Sequence, residues 1–212
     1  MAYHHDHTHD HDHATDPDLD DRTLLEGEVW ESALRELLLE KGVITTPELN
    51  DQMNRTASQS AAVGASIIGR AWKDQKFRKA LLANPKASIA DLGYDVSTMP
   101  DLVIVENRMD VHNVVVCTLC SCYPRYMLGP PPEWYRSAGY RARVVREPRE
   151  VLNEFGLSIS VGTKIRVYDS TADLRYMVMP LCPPGAEDMP VTHLQTIITR
   201  DSMIGVGFPK LP

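Results

Sequence analysis

Hydrophobic positions change their period part-way along the chain. Between residues 23 and 93 they recur at helical spacing. Trp30, Ala33, Leu34, Leu37 and Leu38 form one stripe, and Gly42 beyond them is a natural stop. Thr46-Pro47-Glu48 reads as a cap with proline at the first helical position. Further helices are expected over residues 61–72, 74–83 and 85–92, the first with Ile67, Ile68, Ala71 and Trp72 on its apolar face. Gly64 and Gly69 fall inside that helical pattern and not after a strand, so they make no phosphate-binding loop. From residue 94 onward β-branched runs take over, and residues 102–106, 111–116, 164–169 and 175–180 read as strands. Short helices are expected near 133–140, 148–155 and 191–199, with Thr199-Arg200-Asp201-Ser202 as a polar end. The pattern predicts an α+β fold: a helical N-terminal arm followed by a layered α/β-sheet domain.

Three segments follow from this pattern. Residues 1–22 are a His/Asp-rich tail holding six of the eight histidines; with almost no apolar content it is expected to be disordered. Its histidines read equally as loose metal capture and as a solvated tail. Residues 23–93 are the helical arm, read as a packing or oligomerisation element. Residues 94–212 are the α+β domain, which carries a cysteine loop.

Composition narrows the function classes. Lys+Arg 22 against Asp+Glu 29 gives a formal net charge of −7, which argues against nucleic acid as a partner. No apolar run approaches the ~18 residues of a membrane span. The start of the chain lacks the apolar core of a signal peptide, so a cytoplasmic location is the expectation. Four cysteines are thin for a disulfide scaffold, but three of them crowd into one short loop.

That loop reads Val116-Cys117-Thr118-Leu119-Cys120-Ser121-Cys122-Tyr123-Pro124. Three chemistries compete for it. A disulfide is disfavoured in the cytosol. A structural zinc site draws four Cys/His ligands from two separated knuckles, and only Cys182, His112 or His193 could complete it. The third is a claw. Cys120 and Cys122 flank the amides of Ser121 and Cys122, so one ion can take S, N, N and S in a plane, with Cys117 beneath as an axial sulfur. Ionised amides need a strongly Lewis-acidic, trivalent ion, and one position stays open for water or substrate. Spacing alone ranks this claw level with zinc.

The string CTLCSC, with Val114-Val115-Val116 before it and Tyr123-Pro124 after it, resembles the metal claw of nitrile hydratase α subunits and of the related thiocyanate hydrolase γ subunits. Leu128-Gly129, Pro131-Pro132, Trp134-Tyr135, Tyr140-Arg141, Asp169-Ser170, Arg175-Tyr176 and Thr199 to Val206 also recur in that family's order, so the likeness covers about residues 24–208. The resemblance implies that Cys117 is the axial thiolate. It implies that Cys120 and Cys122 are equatorial sulfurs, oxidised to sulfinic and sulfenic acid, and that the Ser121 and Cys122 amides complete the set. Thr118 and Tyr123 match the cobalt-type branch, so one low-spin Co(3+) per chain is implied over iron. It further implies a β-type partner subunit, or two, supplying arginines to the oxidised sulfurs, and a cobalt-delivery activator protein. A nitrile would be hydrated to its amide at the open position, with water or the Cys122 sulfenate oxygen as nucleophile.

Where nitrile hydratases usually carry Trp-Pro after this motif, the chain has Arg125-Tyr126, and thiocyanate hydrolase γ subunits tend to carry Arg at the first position. Arg125 beside the metal suits an anion, and a salt bridge across a subunit interface is the other reading. A cobalt nitrile hydratase α-type subunit is therefore expected, with thiocyanate hydrolase and a non-catalytic cobalt carrier as rivals. Elsewhere, His112 is read as a hydrogen-bonded structural residue, His193 as solvated and Cys182 as packing. Asp169, Asp173 and Arg175 are read as a loop ion-pair set.

Overall fold

The computed structural model describes residues 17–58, 60–120 and 122–211. These divide into two compact units, one ending at Gln52 and the other beginning at Met53. The smaller unit holds α1 (Pro17–Glu40) and the start of α2 (Thr46–Ser58). Residues 17–22, expected in the unstructured tail, instead open α1. Proline at a first helical position has its φ preset and needs no N–H partner there. Gly42, at φ 64°, ends the turn that follows α1. Trp30, Leu34 and Leu37 of α1 stay exposed, at 75%, 56% and 49%. The cap of α2 is Thr45, one residue earlier than expected: its N and Oγ1 each donate to Glu48 Oε2 at 2.8 Å.

The larger unit opens with α3 (Ala61–Lys73), α4 (Gln75–Ala83) and α5 (Pro85–Ala90). Ser60, Asp74 and Asn84 cap them, each side chain accepting from amides of the first turn. α3 buries Ala65, Ile67, Ile68 and Ala71, each worth up to roughly 1.5–3 kcal/mol for the larger side chains. At Gly64 a Cβ would meet Met127 O and Met203 Sδ at 2.9 Å, so only glycine lets the chain pass so close.

Four strands follow: β1 (Asp101–Glu106), β2 (Val111–Val116), β3 (Lys164–Asp169) and β4 (Leu174–Met179). They form two parallel pairs, β1 with β4 and β2 with β3. All six residues of β2 are buried, as expected of a strand covered on both faces. Between β2 and β3 the chain runs through the cysteine loop and then α6 (Arg125–Leu128), α7 (Glu133–Arg136), α8 (Ala138–Arg146) and α9 (Pro148–Glu154). The single helix expected at 133–140 is two. Ser137 is extended, and its hydroxyl accepts from Tyr140 N to cap α8, which runs on to Arg146. The chain closes with α10 (Val191–Ile197) and α11 (Arg200–Ile204). The polar end Thr199–Ser202 is in fact a reciprocal capping box that starts α11, and Gly205, left-handed at φ 95°, ends it. The fold is α+β, with the cysteine loop leaving the C-terminal end of β2. Among the described residues no helix is long and apolar enough to cross a membrane.

Candidate metal centre

β2 delivers Cys117 into the interior, where it is 1% exposed. The chain then turns outward, leaving Cys120 exposed and Cys122 half-buried; Ser121 lies outside the described residues, as do residues 1–16 with most of the His/Asp-rich tail. Cys120 Sγ stands 3.3 Å from Cys117 Sγ and 3.0 Å from Cys122 Sγ. All three sulfurs lie within 4.8 Å of one another, close enough to share one ion.

These separations test the competing chemistries. Two metal–sulfur bonds of ~2.3 Å at a right angle put their sulfurs about 3.3 Å apart, whereas a tetrahedral angle puts them about 3.8 Å apart. The shorter spacing found here fits neighbouring corners of a square-based site. The zinc alternative also lacks its fourth side chain among the described residues. His112 is committed elsewhere: Asn107 Nδ2 lies 3.2 Å from its Nδ1, and its Nε2 lies 2.7 Å from Gly205 O. That network assigns a neutral ring with the proton on Nε2, and burial lowers its pKa below the usual histidine range. His193 is exposed, and Cys182 is half-buried against Pro183 O. No disulfide closes the loop among the described residues. Burial, reinforced by the hydrogen bond with Cys120, pushes the Cys122 thiol up to about 12, while Arg175 pulls the other way. A cation is what would ionise it.

Three side chains outside the motif hold the loop in shape. Tyr140 OH donates to Val115 O at 2.7 Å, just before the cysteines, and Tyr135 OH donates to Cys122 O at 2.9 Å, at their far end. Between them, Thr118 N and Oγ1 donate to the two oxygens of Asp169 at 2.9 and 2.5 Å. Asp169 is the last residue of β3 and is paired in register with Val116, so strand pairing itself brings the carboxylate to the loop. This corrects the ion-pair reading of Asp169, Asp173 and Arg175: no ion pair joins them among the described residues. The two tyrosines and Asp169 were missed as site residues, since only register and helix packing bring them there. A ligand site at the carboxyl end of parallel strands is common in open α/β sheets.

A cavity of about 340 Å³ opens beside the cluster. Cys120, Cys122, Arg125, Tyr126 and Arg175 are among its walls. Arg125, the first residue of α6, is exposed, and Tyr126 pins α6 to Thr98 through its hydroxyl, 3.2 Å from Thr98 Oγ1.

Residues 26–207 match the profile of the family described as nitrile hydratase, alpha chain. The chain belongs to that family. It is 42% identical over 182 residues to the low-molecular weight cobalt-containing nitrile hydratase subunit alpha of Rhodococcus rhodochrous, covering 85% of this chain and 87% of that one. It is 38% identical over 194 residues to the thiocyanate hydrolase subunit gamma of Thiobacillus thioparus, covering 86% and 80%. Among solved structures, a double mutant of the Fe-type nitrile hydratase from Comamonas testosteroni Ni1 superposes with a TM-score of 0.81 at 38% identity, over 90% of this chain and 92% of that one. Members of the nitrile hydratase α family thus include cobalt and iron types, and the cluster at residues 117–122 is where this chain can hold such an ion.

Proposed function

We propose that this chain is the catalytic α-type subunit of a cobalt nitrile hydratase, an enzyme that adds water to a nitrile to give the amide. The observation that carries it is the cluster of three sulfurs, of which those of Cys120 and Cys122 line a small-molecule cavity. Residues 117–122 would hold Co(3+) through the sulfurs of Cys117, Cys120 and Cys122 and the amide nitrogens of Ser121 and Cys122. The ion supplies the Lewis acidity that polarises a C≡N group.

The chain's own residues do the rest. The burial gradient decides which sulfurs oxidise: Cys117 stays a shielded thiolate, while Cys120 and Cys122 at the mouth are within reach of dioxygen, which as oxidant and oxygen donor takes them to sulfinic and sulfenic acid. Tyr135, Tyr140 and Asp169 keep the loop in the geometry the ion needs, so little reorganisation remains at loading. Water adds to the nitrile carbon directly, or the Cys122 sulfenate oxygen adds and a following water releases the amide and regenerates the sulfenate; either way the nitrile nitrogen gains the protons and the net addition is one water. The oxidised sulfurs carry negative charge, and arginines from a β-type partner would neutralise it. The exposed face of Trp30, Leu34 and Leu37 is the natural contact for such a partner. The compartment would be the cytoplasm, with an activator protein delivering the cobalt.

One observation favours a second reading. Arg125 lines the cavity, and its charge suits thiocyanate better than a neutral nitrile. The test is metal analysis and product analysis on the purified complex. About one cobalt per chain and amide formed from a nitrile are expected, with oxygen added at Cys120 and Cys122 and none at Cys117 by peptide mass spectrometry. Stoichiometric zinc without cobalt or iron, or full activity with three unmodified cysteines, refutes the claw. Thiocyanate consumed with no amide from any nitrile moves the assignment to thiocyanate hydrolase.

A further inference from the structure

The reaction proposed above gives no role to the part of the cavity wall away from the cysteine loop. The stretch entering β1 lines that part with Thr98, Met99, Pro100 and Leu102, and α6 lines it with Tyr126 and Met127. Tyr126 joins the two stretches. Its hydroxyl donates to Thr98 O at 3.3 Å. With its one proton spent there, it accepts from Thr98 Oγ1 at 3.2 Å. Both partners of this clasp are anchored. Met99 N donates to Val96 O at 3.2 Å, closing a turn across Thr98, and Lys86 Nζ on α5 donates to Met99 O at 2.7 Å. Met99 is itself buried. On the other partner, the Tyr126 ring is half-buried against the core, and Met127 and Leu128 after it are buried. Two side chains that line one cavity and bond to each other leave no opening between them, so the cavity ends at the clasp. Its volume of about 340 Å³ lies at the small end of the roughly 300–1,000 Å³ of small-molecule sites. Met99, Pro100, Leu102 and Met127 make the wall beside the clasp apolar, which suits a hydrocarbon substituent.

We propose that Tyr126, clasped to Thr98, is the residue that limits the length of the substrate. The substrate class is thus a compact nitrile whose hydrocarbon substituent ends at the Tyr126 ring. This rests on the reading of the cluster as the reacting site, since the sulfurs fix one end of the length that Tyr126 closes at the other.

The test uses straight-chain amides, propanamide to octanamide, which need no turnover. Their binding to the assembled, cobalt-loaded complex is measured by titration calorimetry. In the wild type, affinity should rise by up to about fourfold per added CH₂ and then stop rising at one chain length. Tyr126→Ala removes the wall, so the rise should continue past that length. Tyr126→Phe keeps the ring and loses both hydrogen bonds, so the longest amides should bind severalfold tighter than they bind the wild type while the short ones are unchanged. Initial rates on the matching nitriles should follow the same order. A wild-type series that rises through octanamide without a break overturns the proposal. So does a break at the same length in Tyr126→Ala. If Tyr126→Ala fails to assemble, Tyr126→Phe decides, and unchanged binding of the longest amides overturns the proposal. If the amide series shifts as expected and no nitrile is hydrated, the reaction assigned to the cluster fails and the role of Tyr126 as the end wall stands.

Discussion

Removing one oxygen atom from Tyr135 should loosen the metal loop without disturbing the core. The ring of Tyr135 is fully buried, packing edge-on against Tyr123 at 5.0 Å and Trp134 at 5.9 Å. Tyr135→Phe keeps that packing and opens no cavity larger than a hydroxyl. Burial pushes the phenol pKa upward, so in the wild type the hydroxyl is a proton donor throughout the neutral range. Its bond to Cys122 O is 2.9 Å long. Losing a typical bond costs about 1 kcal/mol, and a half-buried carbonyl left without its donor raises that to about 1–2 kcal/mol. For a domain of this size each kcal/mol lowers the melting midpoint by roughly 2–4 °C, so a fall of about 2–8 °C is expected in scanning calorimetry of the assembled complex. The second readout is cobalt. Changes to groups that orient metal ligands typically cost about 10–100-fold in metal affinity, and Tyr135 fixes Cys122, proposed above to supply both a sulfur and an amide nitrogen. Cobalt remaining after a timed chelator challenge, measured by elemental mass spectrometry, should fall accordingly. Tyr140→Phe is the control. It removes a bond of 2.7 Å to Val115 O, upstream of the sulfurs, so it should cost similar stability and much less cobalt. Equal cobalt loss in the two variants, or none in Tyr135→Phe, would refute the argument that this hydroxyl orients the claw.

Asp169→Asn removes one of the two acceptor oxygens that hold Thr118, and it should lower cobalt loading severalfold at a stability cost of about 1 kcal/mol or less, since the site is exposed; full loading would refute it. The lowered pKa of His112 carries a sign: the unfolded chain takes up a proton near the ordinary histidine value and the folded chain does not. Stability from this residue is therefore full above that value and lost as pH falls below it, so the melting midpoint of His112→Gln should depend less steeply on pH between 7 and 5 than that of the wild type. Arg125→Trp should reduce turnover of thiocyanate relative to a neutral nitrile by on the order of tenfold to a hundredfold if Arg125 faces substrate. Weaker subunit association with both activities reduced alike would instead mark it as an interface residue.

The regular elements were legible because their signals are local. Runs rich in Val and Ile marked β1 and β2, all four strands were placed to within a residue, and helical spacing of apolar residues marked α3. What failed was also local, and short. α6 and α11 have four and five residues, too few for any periodicity. α11 did carry a sequence signal, the reciprocal Thr199/Ser202 pair, but a serine at the third helical position is weaker than the usual glutamate or glutamine. The break at Ser137 was written in the residue type, since a serine hydroxyl accepting from an amide three residues on starts a helix rather than continuing one. Pro17 begins α1 inside the polar segment, since proline at a first helical position has its φ preset however polar the next turn is.

The candidate site divides along the same line between what is near in sequence and what is near only in space. Three sulfurs within six residues announce a metal, yet their spacing left zinc and the claw level. What bears on that choice is non-local: the commitment of His112 to Gly205 and the absence of Cys182 and His193 from the sulfur cluster among the described residues. The groups that shape the loop are equally non-local. Asp169 lies 51 residues from Thr118 and meets it only because β2 and β3 pair in one register; slipped by a single residue, the carboxylate would move to the other face. Arg175 reaches the cavity by the pairing of β4 with β1. The sulfurs that could hold a metal lie within six consecutive residues, while their orientation and surroundings are properties of the fold. Substrate choice belongs to the second kind.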